Sequence, residues 1–147
     1  MKWKLLPAAM TLCGLLVTVT VAYAYEKVRT GGVLGNNYSS TMLRIDDVTM
    51  RVTTRKQLNG NLAEVNRPGT PMYNSLVAVQ NAAAVRAAVE ARALGYNVLA
   101  ILASRDLTSP QALAVEIVVR GVPGAMPAGS SGRYLDVTRI LKQFGIE

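Results

Sequence analysis

Leu113-Ala114-Val115-Glu116-Ile117-Val118-Val119-Arg120 places Leu113, Val115, Ile117 and Val119 on one side of an extended chain and Ala114, Glu116, Val118 and Arg120 on the other. A two-residue period marks a strand with one face in the core and one partly wet, because successive side chains leave opposite faces of the pleat. Just upstream, Asn97 to Ala103 is a continuous apolar run, as expected for a strand buried on both faces. Between the two, Ser104 to Gln111 is polar and contains Pro110, so it reads as a turn.

Further upstream, Thr70 before Pro71 starts a helix, with a hydroxyl at the N-cap and a proline where its missing N–H does no harm. The Ala-rich run that follows ends at Leu94-Gly95, where glycine suits a left-handed cap. Leu76, Val77, Val79, Val85, Val89 and Leu94 are spread around this helix, and Arg86 and Glu90 form an i,i+4 pair. A helix so little polarised should be covered on more than one side. Val77, Val85 and Val89 are its candidate partner-facing residues.

Before the helix, Leu43 and Ile45 alternate with polar neighbours, then Val48, Met50 and Val52 do the same one position out of phase. Asp46-Asp47 marks the slip, which needs a bulge or a tight turn to keep both sets on one face. Arg55 to Gly69 reads as loop, with a hairpin turn at Asn59-Gly60. After the alternating strand, Gly121 to Gly132 is rich in Gly, Pro and Ser and long enough to be a functional element. A last helix follows, with Asp136 as cap, Leu135 and Ile140 as a hydrophobic staple, and Gly145 as stop. The expected fold is a small two-layer α+β domain over residues 41–147, in the order strand, helix, strand, strand, helix, with two helices on a mixed sheet. No internal repeat is present.

The N-terminus decides the compartment. Met1 to Lys4 carries two lysines, the 21 residues from Leu5 to Tyr25 carry no charge, and Ala22-Tyr23-Ala24 has the form read by a signal peptidase. This predicts a signal peptide over residues 1–24 and an exported product, periplasmic or secreted, with a flexible arm over residues 25–40. The alternative is an uncleaved anchor formed by residues 5–25, since about 20 apolar residues span a bilayer. In both cases Lys2 and Lys4 keep the N-terminus in the cytoplasm. Cys13 lies inside the apolar run, preceded by Leu12 and not by the small residue of a bacterial lipoprotein signal.

The 147 residues contain 16 Lys and Arg, 9 Asp and Glu, no His and one Cys, so thiol chemistry, His-based triads and the common zinc sites lack their residues. Neither cofactor nor metal is implied. Asp46, Asp47, Glu64, Asp106 and Glu116 could serve a carboxylate-dependent envelope enzyme, but no two share a motif spacing. The basic feature with shape is Arg51 and Arg55, alternating with Thr49 and Thr53 opposite Met50 and Val52, with Lys56 and Arg67 close in sequence. Such a row of guanidinium and hydroxyl donors can meet phosphate or carboxylate groups.

Export argues against nucleic acid as the target of this positive charge. No motif identifies a family. The strand and helix order recurs in small periplasmic modules of envelope and secretion machines, an analogy of topology alone. The expected function is that of a non-catalytic binding or assembly domain of the bacterial cell envelope, an accessory subunit with an envelope protein partner and capable of oligomerising. The alternative is a binder of acidic lipid or polymer through Arg51, Arg55, Lys56 and Arg67.

Overall fold

The structure, a computed structural model, describes residues 38–58, 62–130 and 132–147. The segment read as an export signal or anchor, Cys13, most of the stretch read as an arm and the expected Asn59-Gly60 turn lie outside the described residues. Among the described residues, no helix is long and apolar enough to cross a membrane.

The phase slip at Asp46-Asp47 is a tight turn. It joins β1 (Tyr38–Arg44) to β2 (Thr49–Gln57) as an antiparallel hairpin in which Met42 stands opposite Val52. The Asp46 carboxylate accepts the N–H groups of Val48 at 2.9 Å and Thr49 at 2.6 Å, and the N–H of Ile45 donates to the Thr49 carbonyl. Those contacts, the Val48 N–H foremost, hold the Asp46 carboxyl below the usual carboxylate range. Strand β1 starts at Tyr38, inside the stretch read as arm.

Helix α1 (Pro71–Ala93) begins where Thr70 Oγ1 accepts the Tyr73 N–H at 3.2 Å. It stops where Gly95 takes a φ of +84° and the Tyr96 N–H donates back to the Ala91 carbonyl at 2.9 Å. It packs on β2 and on a later strand, β4 (Ala112–Val122), against helix α2 (Val137–Gln143), and reaches β1. Every residue from Val85 to Ala91 is buried, including the Arg86–Glu90 pair, whose Nη2 and Oε1 lie 2.7 Å apart. Arg92, at the rim, binds both carboxylate oxygens of Glu147 at 2.6 Å and the Thr138 hydroxyl at 3.1 Å, which ties the last residue and α2 to α1.

The sheet is antiparallel throughout, which corrects the expectation of a mixed sheet. Strands β3 (Val98–Asp106) and β4 (Ala112–Val122) form a second hairpin, and β4 inserts between β2 and β3. The crossover through α1 therefore joins two strands of the same direction that are not neighbours, and each hydrogen-bonded pair runs antiparallel. A three-residue strand, β5 (Tyr134–Asp136), pairs with β3 and completes the order β1-β2-β4-β3-β5. Its length leaves no periodic signal in the sequence. It leads directly into α2, where Asp136 accepts the Arg139 N–H at 2.9 Å and Leu135 and Ile140 both pack against the core.

Leu113, Val115, Ile117 and Val119 all face α1 and are buried, with Met50, Val52 and Leu99 beside them. Strand β3 departs from its expected double burial. Val98 and Leu99 are covered, but a register shift between Ile101 and Ala103 leaves Leu102 55% exposed. Among the described residues both helices lie on one side of the sheet, and neither covers Leu102.

Gly121 shows how closely that core is fitted. It stands opposite Leu99, and a Cβ added there would come within 2.6 Å of the Tyr96 ring, which lies over it. Gly121→Ala should therefore cost about 1 to 3 kcal/mol by overpacking, and a Tyr96→Ala background should relieve most of that cost. Denaturant melts of the two single variants and the double variant check this. An equal penalty in both backgrounds would show that the ring is not what excludes the methyl group.

Candidate binding face

The pleat sends Thr49, Arg51, Thr53 and Arg55 to the side opposite Met50, Val52 and Thr54, away from α1. Register then assembles the rest of that face. Arg120 stands opposite Thr49, Glu116 opposite Thr53, and Ala114 opposite Arg55. On β3, Arg105 stands opposite Glu116 and Ala100 opposite Arg120. The outer face of the sheet thus carries Arg51, Arg55, Arg105 and Arg120, drawn from three strands, around the carboxylate of Glu116, with Asp136 at the β5 end of the same side opposite Val98. Thr49, Thr53, Ala100, Ala114 and Val118 fill the gaps between them.

Arg51 Nε lies 3.8 Å from Glu116 Oε2, with the Arg51 side chain 45% exposed. The Glu116 side chain is 14% exposed, but at this separation and with its cation half in water the pair contributes about 0 to 1 kcal/mol, so the face is not neutralised. At the turn end, Asp46 is spent on backbone N–H groups, and Arg120 adds a smaller pull on its carboxyl. The guanidiniums offer planar donor forks suited to carboxylate or phosphate.

The four basic residues grouped by sequence do not form one cluster. Arg51 and Arg55 share the outer face. Lys56 falls on the other side of the pleat, its Nζ 5.3 Å from the centre of the Tyr38 ring and 3.5 Å from Ser75 Oγ of α1. Arg67 sits in the turn leading into α1, with its N–H bonded to the Glu64 carbonyl and its own carbonyl accepting from Thr70. Adjacency in sequence misled here because neighbours along a strand point apart. Arg105 and Arg120 were missed for the complementary reason. Arg120 shows the same alternation as Glu116, but only the pairing of β4 with β2 brings it beside Thr49.

Val85 is fully buried, Val89 nearly so, and Val77 half-buried. Val85 and Val89 belong to the domain's own core, and α1 is wrapped by the sheet and α2.

The remaining chemistry is dispersed. Asp106 accepts the Thr108 N–H in the β3–β4 turn, Glu116 pairs with Arg51, and Asp136 caps α2. Among the described residues, no three His, Cys, Asp or Glu side chains gather as a metal site would require. A cleft of about 660 Å³ opens between the end of α1 and the loop after β4, lined by Tyr96, Asn97, Met126, Asp136 and Thr138 among others. Compared with protein-family models, curated proteins and solved structures, the chain matches none.

Proposed function

We propose that this chain is an exported cell-envelope domain that acts by binding, and that the open arginine face of its sheet meets an acidic surface on a partner protein. The observation that supports this reading is the arrangement of Arg51, Arg55, Arg105 and Arg120 around the carboxylate of Glu116 on the side away from α1. An antiparallel sheet can leave one face in water, and a merely solvated face would ordinarily mix both charges. Arginine is also the basic residue favoured at protein interfaces. Export and a periplasmic or secreted location rest on Lys2, Lys4 and the Ala22-Tyr23-Ala24 motif.

The test is affinity capture from the native envelope with the wild-type chain and with Arg51→Glu/Arg55→Glu, both checked for fold by circular dichroism. The wild type is expected to bring down an acidic protein in a salt-sensitive manner, and the variant to lose it. Capture of the same protein in equal yield by both would remove this face from the interface.

A further inference from the structure

The two edges of the sheet differ in how well they are guarded. At one end β5 covers only Val98 to Ala100 of β3, and the rest of β3 is broken by the register shift between Ile101 and Ala103 and ends in the charges Arg105 and Asp106. At the other end β1 runs seven residues, Tyr38-Ser39-Ser40-Thr41-Met42-Leu43-Arg44, paired with β2 on one side and with no strand on the other among the described residues. Natural edges are blunted by lysine, proline, bulges or shortness. Strand β1 has an unbroken register with β2 and a single charge, Arg44, at its very end.

What lies behind this edge is equally specific. Ser39, Thr41 and Leu43 share the outer face with the arginines. Arg55 stands opposite Ser39, Arg51 opposite Leu43, and both are diagonal to Thr41. A strand laid against β1 lies two strand spacings, about 10 Å, from β2, a gap that an arginine and a glutamate close by leaning toward each other. Across the small Ser39 and Thr41, the Arg55 guanidinium can meet a carboxylate of a strand laid against β1, and Arg51 does so by leaving its loose 3.8 Å contact with Glu116 of β4 and crossing beside Leu43.

Resting on the acidic-partner reading above, we propose that the partner binds as an extended acidic segment that adds a sixth strand to the edge of β1. Main-chain hydrogen bonds to β1 would supply affinity, and carboxylates at alternate positions, facing Arg51 and Arg55, would supply selectivity. A second copy of this chain fits the edge poorly. A two-fold pairing of β1 with itself would set like arginine faces side by side on a chain of net charge +7.

The experiment uses the full chain and two dye-labelled peptides as long as β1, both of alternating threonine and glutamate. One is unmodified and the other is N-methylated at alternate residues, which removes ladder donors and keeps every charge. Fluorescence anisotropy should show the unmodified peptide binding, the N-methylated peptide binding at least about tenfold more weakly, and Arg51→Ala/Arg55→Ala weakening binding by roughly tenfold.

Equal binding of both peptides, still dependent on the arginines, would overturn strand addition and leave the acidic-partner reading standing. No binding of either peptide, or binding indifferent to the arginines, would overturn both. Arginine-dependent binding to phosphatidylglycerol vesicles without peptide binding would assign the face to lipid and overturn the proposal. Self-association in sedimentation that competes with the peptide would assign the edge to a second copy and overturn it as well.

Discussion

Replacing Glu90 with alanine is expected to lower folding stability by about 3 to 5 kcal/mol, the usual cost of removing one partner from a buried ion pair. Glu90 is 2% exposed and Arg86 6% exposed, and the variant leaves a buried guanidinium without its carboxylate. Replacing both, as Arg86→Met/Glu90→Leu, should come out near the wild type or better, because two desolvated charges are then exchanged for apolar packing.

The pH dependence of this pair has a definite sign. Burial raises the Glu90 pKa, while Arg86 and Arg44 pull it back only in part. The folded chain thus holds that proton more tightly than the unfolded chain does. The stabilisation is full below the ordinary glutamate range and is lost as pH rises through the raised pKa. Urea midpoints taken across that range should show the slope in the wild type and its disappearance in Glu90→Gln. A Glu90→Ala cost under about 1 kcal/mol, or a double variant as weak as the single, would mean that the pair is not held in the interior.

Ile117→Ala should cost about 2 to 5 kcal/mol and Glu116→Ala no more than about 1 kcal/mol, although the two residues are neighbours in the chain. Ile117 is 8% exposed, stands opposite Val52 of β2 and belongs to the core beneath α1, so truncation leaves a cavity that the surrounding layers cannot readily close. Glu116 points to the face away from α1, where its loss removes one long contact with Arg51, whose side chain is half in water. Guanidinium melts of the two variants decide this, and equal losses would reverse the phase of β4.

Two levels of organisation divide the fold. Local signals were enough for elements whose cause is local. Thr70-Pro71 and Gly95 bound α1 because a cap and a left-handed glycine act within one turn of the helix. Asp136 with the Leu135 and Ile140 staple places the start of α2 in the same way. The alternation of Leu113 to Val119 identifies the buried face of β4, since a period of two admits only two phases.

Pairing between distant segments has no such local signature. The insertion of β4 between β2 and β3, which makes the sheet antiparallel, follows from how two hairpins and a crossover helix pack together, and β5 exists only because β3 offers it an edge. The candidate binding face divides along the same line. The sequence by itself determined that Arg51 and Arg55 share one side of a strand, because the pleat does so. Only the tertiary structure decided that Arg105 and Arg120 join them and that Lys56 and Arg67 do not. Register across the sheet, and the helix layer that covers one side and leaves the other open, are properties of the packed whole.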